Sequence, residues 1–385
     1  MRRLIYIFTV VLLWVAASTS CRGEEHIVPS TSNQVYDYEQ VGDIKGFFLL
    51  NEGNMGSNKA TIDYLDYPSG VYSKNIYAER NPNVTKELGD VGNDIQIYKD
   101  RIYAVINNSN LIEVMDCDSA EQVGVVSVPN CRYIAFDGAY AYVTSYAGAV
   151  ESDANYRLGY VAKIDLESLE VVAECSVGYQ PEELVVVGQK LYVANSGGYC
   201  APDYDNRLSV IDLESFEEIE KIEIEINLHR LELDSYGCLW ISSRGDYYDT
   251  PSKTYVLNTQ NHEVTELDLP NSNMALMGDM LYVASYEWNY SSGEQPIAYS
   301  VVDTKTQAVI DSNFIKDGTE SAIVAPYGLA VNAETEEIFV TDATNYVTPG
   351  KLYCYSLSGQ LKWSVTTGDV PSSIVFTTTQ LQSIQ

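Results

Sequence analysis

With 385 residues, 45% of them apolar, the chain has material for two ordinary domains or one large repeat-built domain, and it is not a disordered polypeptide. Its 23 Lys and Arg against 54 Asp and Glu leave a formal charge of −31, which excludes a nucleic-acid backbone as partner, because phosphate binding needs basic patches. Three histidines without ligand spacing and no Cys-x-x-Cys argue against a zinc site, whereas 31 tyrosines, roughly two to three times ordinary usage, need an explanation.

Arg2 and Arg3, the apolar run Leu4 to Ala17 and the small residues Ser18, Thr19 and Ser20 have the layout of a secretory signal peptide over residues 1–20. Cys21 follows directly and resembles the acylated cysteine of a bacterial lipobox, with Ser18 where leucine is usual. Cleavage before a diacylated Cys21 gives two acyl chains, enough for stable anchoring. Glu24 and Glu25 resemble the surface-export signal of Bacteroides-type lipoproteins. Residues 21–40 are polar and read as a lipidated tether, so the expected location is the outer membrane, lipid-anchored and facing outward. Export permits disulfides among Cys117, Cys131, Cys175, Cys200, Cys238 and Cys354, but spacing does not fix a pairing, and at Cys117 and Cys354, in strand-like runs, a buried free thiol fits equally well.

From residue 41 to 380 one unit recurs seven times. Its signature is an apolar residue, a large aromatic and a β-branched or small residue: Phe47-Phe48-Leu49, Ile102-Tyr103-Ala104, Ala141-Tyr142-Val143, Leu191-Tyr192-Val193, Leu239-Trp240-Ile241, Leu281-Tyr282-Val283 and Ile338-Phe339-Val340. The mean spacing of roughly 48 residues suits propeller blades. A short apolar strand precedes each copy after the first. An alternating strand, a turn of the type Asp165-Leu166-Glu167-Ser168 and a last strand follow, so each unit has four strands, A to D. The expected fold is therefore all-β, a seven-bladed β-propeller of four-stranded blades. The first copy lacks a strand A, and the C-terminal run Pro371 to Phe376 supplies one, which closes the ring and removes two sheet edges. The central aromatics read as packing between blades.

The B–C and D–A loops emerge on one face, and their composition is unusual. The B–C loops span 145–159, 195–207, 243–253, 285–297 and 341–351. They carry Tyr146, Tyr156, Tyr199, Tyr204, Tyr247, Tyr248, Tyr286, Trp288, Tyr290 and Tyr346, together with Arg244. The D–A loops add Tyr179, Tyr327, His229 and Arg230. Rigid rings interspersed with Gly, Ser, Asn and Asp have the physics of a binding face: contact area at low entropy cost, with short hydrogen-bonding groups between. Three residues after most central aromatics stands a polar group: Asn51, Ser145, Asn195, Ser243, Ser285 and Asp342. It reads either as strand termination or as a polar ring around the funnel mouth. Glu52, Asn195 and Asp342 could be cast as lactonase-like metal ligands, but no spacing singles them out, and Glu182 and Glu183 point apart on a strand. No catalytic set and no required cofactor emerge.

A lipobox, an acidic tether and blade strings such as Leu191-Tyr192-Val193-Ala194-Asn195 resemble the YncE-type propeller lipoproteins of Bacteroides. Within them, Phe47 to Asn54, Gly178-Tyr179-Gln180-Pro181-Glu182 and the aromatic loops are similar to the BtuG group of cell-surface cobalamin-binding lipoproteins. The resemblance implies tight capture of cobalamin or a related corrinoid, delivery to a BtuB-like TonB-dependent outer-membrane transporter, and membrane contact through the lipid anchor only. A broad ring edged with amides suits aromatic walls and hydrogen-bonding groups. A glycan-binding surface propeller and a metal-dependent lactonase-like hydrolase are the alternative readings.

Overall fold

In each strand B both faces are apolar, so both must be covered by protein. A propeller does this by pressing each blade between two neighbours. The computed structural model describes residues 28–37, 42–84, 87–148 and 157–382. The signal peptide, Cys21 and Tyr156 lie outside the described residues. Seven antiparallel sheets form the ring. Their strands B are Gly46–Asn51, Arg101–Ile106, Tyr140–Ser145, Lys190–Asn195, Cys238–Ser243, Met280–Tyr286 and Glu337–Asp342. The inner strands of successive blades contact one another around the full circle and line a central channel.

Among the described residues, seven of the eight hydrophobic clusters each hold one central aromatic between blades, and the small eighth gathers Ala325, Ala343 and Val370. Phe48 packs toward blade two, Tyr103 toward blade three, Tyr142 toward blade four and Tyr192 toward blade five. Trp240 packs toward blade six, Tyr282 toward blade seven, and Phe339 returns to blade one. The ring closes where Pro371–Thr377 pairs with Gly46–Asn51 in the register Phe47↔Phe376 and Leu49↔Ile374. There Phe47, Phe339 and Phe376 pack with centroids 5.0 to 6.0 Å apart.

The recurrent C–D turns have a local cause. Asp165 Oδ1 accepts from the Ser168 N–H at 2.8 Å and hydroxyl at 3.0 Å. Asp212 does the same with Ser215 at 2.8 and 2.9 Å, and Asp303 with Thr306 at 2.8 and 2.9 Å. These side chains mimic a backbone turn. One element departs from expectation. Thr31–Gln34, within the stretch read as tether, pairs antiparallel with Val71–Lys74 as a fifth, outermost strand of blade one. Its exposed polar residues give no apolar signal. All six described cysteines are unpaired, and five of them are buried.

Candidate functional site

The site is built by a device repeated at the head of the inner strands. Val91, Asn130, Gln180, Asn227 and Val370 each stand just before a strand A with a left-handed backbone, φ between 44° and 61°. In six blades the register between strands A and B then slips at the same place, as between Pro181 and Leu184 or Leu228 and Leu231. A bulge of this kind bends the strand and re-aims its side chains. Here it turns Asn93, Arg132, His229 and Tyr327 into a cavity of about 350 Å³ at the mouth of the channel. The B–C loops complete the lining with Glu52, Arg244, Tyr247, Tyr286, Glu287 and Tyr346. Tyr247 and Tyr346 hold positive φ, 65° and 62°. Bulky residues adopt that region only at a cost, which the surrounding structure must offset.

Beneath the cavity, charges are paired through buried carboxylates. Glu182 Oε2 accepts from Arg132 Nε at 3.1 Å and Nη2 at 3.0 Å, a two-pronged ion pair. Its Oε1 accepts the Tyr146 hydroxyl at 2.5 Å and lies 3.8 Å from Arg244. Burial alone would raise the Glu182 pKa, but Arg132, Arg244 and Tyr146 together hold it below the usual range. Glu183 points the other way, to the Leu231 N–H at 2.6 Å and to Arg230 at 3.5 Å. The Arg132 and Arg230 guanidiniums lie 5.8 and 5.1 Å from the Tyr133 ring centre.

His229 is held as a neutral hydrogen-bond acceptor in this setting. Its Nε2 lies 2.9 Å from both Arg244 Nη2 and the Tyr133 hydroxyl. A guanidinium only donates, so Nε2 must accept and the ring is the neutral Nδ1–H tautomer. Burial first, then Arg244, Arg230 and Arg132, hold its pKa well below the ordinary value. Nδ1 is buried without a hydrogen-bond partner. Glu52 differs: burial pushes its pKa up to about 7 against the pull of Arg132, while Tyr327 donates to Oε2 at 3.1 Å.

The residues expected at the site divide into three groups. Arg244, His229, Tyr247, Tyr327 and Tyr346 line the cavity, and Tyr146 supports it from below. Tyr199, Tyr248, Trp288 and Tyr290 stand on the rim at 56, 53, 39 and 62% exposure, so they are presented to solvent, and Tyr204 is half-buried. Tyr248 stacks on Tyr290 at 5.2 Å, Trp288 meets Tyr290 edge-on at 6.1 Å, and Tyr199 meets Tyr146 at 6.4 Å. The Tyr290 N–H donates to Tyr247 O at 2.8 Å, which ties the loops of blades five and six together. The polar ring is corrected. Asn51, Asn195 and Asp342 are fully buried and do not reach the cavity. Asn195 accepts from the Gly178 N–H and donates to Arg207 O, while Asp342 accepts from the N–H groups of Val324, Ala325 and Thr344. Asn51 donates to Thr61. Asn195 and Asp342 therefore satisfy loop backbone that would otherwise be buried unpaired. They do not converge with Glu52, so the lactonase-like trio is not assembled. Among the described residues no cluster of three or more His, Cys, Asp or Glu is arranged to hold a metal ion. Sequence reasoning missed Arg132, Tyr133 and Glu287 as site residues.

A family model described as "Domain of unknown function (DUF5074)" matches residues 45–374, nearly the whole ring. The chain belongs to the DUF5074 family. No curated protein matches it. Solved structures resemble this DUF5074 chain in fold alone. A putative 6-phosphogluconolactonase from Bacteroides fragilis NCTC 9343 is 10% identical with a TM-score of 0.59, covering 88% of this chain and 100% of that one. A quinonprotein alcohol dehydrogenase-like protein from Bacteroides thetaiotaomicron VPI-5482 is 16% identical with a TM-score of 0.55, covering 87% and 78%. The dihydro-heme d1 dehydrogenase NirN in complex with DHE is 11% identical with a TM-score of 0.54, covering 88% and 76%.

A second cavity of about 490 Å³ in this DUF5074 ring is walled by the inner strands of blades two to five and contains Asp94, Glu183 and Glu232. Burial pushes Asp94 up to about 7, and burial with the Glu183 charge pushes Glu232 up to about 8. Both are raised above their unfolded values, as is Glu52. Their contribution to stability is therefore full below about pH 4, the unfolded range, and lost as pH rises through 7 to 8. The melting temperature should fall between about pH 5 and pH 8, and Glu232→Gln should flatten that slope. Thermal melts across this range test it; a melting temperature that rises with pH would contradict it.

Proposed function

We propose that this protein is a cell-surface lipoprotein that captures cobalamin, or a related corrinoid, at the mouth of the ring and passes it to a BtuB-like TonB-dependent outer-membrane transporter. The observation that supports it best is the exposed aromatic rim of Tyr199, Tyr248, Trp288, Tyr290 and Tyr346, gathered on one face around a polar cavity. Large rings held toward solvent on linked loops suit a broad, flat ligand that needs apolar contact over its faces and hydrogen bonds at its edge. The protein acts as a binder. His229 Nε2 and both Glu182 oxygens are already engaged, so neither is free for acid–base work. A glycan is the second reading, because stacked rings such as Tyr248 and Tyr290 also suit sugar faces.

Trp288→Ala with Tyr290→Ala should weaken cobalamin by roughly tenfold to a thousandfold, since each aromatic anchor contributes on the order of 1–3 kcal/mol and the two rings touch. Thermal stability should hardly change, because both rings lie outside the seven packed clusters. Calorimetry with cobalamin and with oligosaccharides decides between the readings: binding of sugars alone favours the second. The anchoring part of the proposal rests on Cys21. Cys21→Ala should release the protein from membrane fractions, and unchanged membrane retention would contradict acylation there.

A further inference from the structure

The floor of the mouth has a chemistry of its own. In an acidic chain, three of the guanidiniums converge on this one cavity. Arg132 and Arg244 share Glu182, at 3.0 and 3.8 Å, and Arg132 and Arg230 share the face of Tyr133. All three line the cavity. The carboxylates in contact with them are Glu182, held below the usual range, and Glu183, which burial raises. Arg244 is the least tightly paired: its contact with Glu182 is long, its Nη2 goes to a neutral imidazole, and Glu287 acts on it through charge without an ion-pair contact. The other carboxyls in the lining are Glu52 and Glu287, both raised by burial against the pull of neighbouring arginines. Three guanidiniums thus face one recess partly shielded from water, where a charge-assisted hydrogen bond is strong.

Resting on the reading of the mouth as the ligand site, we infer that its floor is an oxyanion subsite, in which Arg244, with Arg132 and Arg230, receives one singly charged phosphodiester or carboxylate group of the ligand. The tyrosine wall then covers the apolar part of the same molecule. Glu52 is the main source of the pH response, with Glu287 beside Arg244 as a second carboxyl. It faces Arg132, Arg230, Tyr327 and Ser372, and shares the cavity with Arg244, Glu287, His229, Tyr133 and Tyr346. When Glu52 is protonated its negative charge disappears from the floor, so anion binding tightens as pH falls.

The probes are dimethyl phosphate and acetate, whose single charges stay constant between about pH 6 and pH 8. Each is titrated at constant ionic strength into the protein while tyrosine fluorescence or amide shifts are followed. The expected result is saturable binding of one or both anions, the tighter one naming the oxyanion class. Arg244→Gln should weaken it about tenfold or more, the size of a lost charge-assisted hydrogen bond. Arg244→Lys should fall between, keeping the charge and losing the fork. Glu52→Gln should reduce the pH dependence, leaving the part that belongs to Glu287, and should strengthen binding at about pH 8. An unchanged melting temperature in the arginine variants keeps a folding defect from imitating the result. Absence of binding by both anions, or full binding by Arg244→Gln, would overturn the inference. A cobalamin titration separates the two readings. Full cobalamin affinity in Arg244→Gln leaves the rim proposal standing and removes the oxyanion subsite; anion binding without cobalamin binding does the reverse.

Discussion

Ending the chain at Val370 is expected to make the protein aggregate. The missing strand, Pro371–Thr377, is the inner strand of blade one and the only described partner of Gly46–Asn51 on that side. Its loss strips Phe376 from the Phe47 and Phe339 cluster and Val375 from the cluster around Phe48. Exposing two or three large apolar side chains costs about 1.5–3 kcal/mol each, against a total of about 5–15 kcal/mol for an ordinary domain. The larger harm is topological, because an open strand edge invites pairing between molecules. Size-exclusion chromatography and thermal melting of the truncated chain should show high-mass species and no cooperative transition at the full-length temperature. A monodisperse, normally melting truncation would contradict the closure.

Removing Glu182 is the second severe change. Glu182→Ala deletes the carboxylate that holds Arg132, Arg244 and the Tyr146 hydroxyl, and leaves cations in a recess without their partner. Breaking a buried pair from one side typically costs about 3–5 kcal/mol, because the surviving charge is left uncompensated. Denaturant unfolding should therefore show a loss of that order, together with distortion of the mouth. Glu182→Gln, which keeps the shape and one acceptor, should lose less. A Glu182→Ala protein of wild-type stability would mean that water already neutralises this network.

The seven-fold architecture was legible because the strand-B triplets face two blades at once, and a central aromatic there has one structural use. Closure was legible for the same reason: Pro371 to Phe376 is an apolar strand with no partner in its own unit. The aromatic rim was legible because loops do not otherwise accumulate tyrosine and tryptophan. The charged floor was legible only in part: His229, Arg230 and Arg244 were on the expected face, whereas Arg132 and the pairing role of Glu182 were not legible. Arg132, Glu182 and Arg230 reach it through left-handed residues and bulges at the head of the inner strands, which alternation along a strand does not encode. The usable signal was charge where a buried strand begins: Cys131-Arg132-Tyr133, Pro181-Glu182-Glu183 and Leu228-His229-Arg230. Asn51, Asn195 and Asp342 looked like a ligand-facing ring because polar groups at strand ends are ambiguous. Asn195 and Asp342 serve the unpaired backbone of the adjoining D–A loop, and Asn51 bonds within its own blade. The fifth strand of blade one was hidden because an exposed polar edge strand has the composition of a linker.

A crystal structure of the protein in complex with cobalamin tests the central claim most directly. The account predicts one corrinoid lying across the mouth, in contact with Tyr248, Trp288 and Tyr290 and with a polar group above Arg244. A corrinoid bound on the opposite face or at the outer blade edges, or crystals that stay empty at saturating cobalamin, would contradict it.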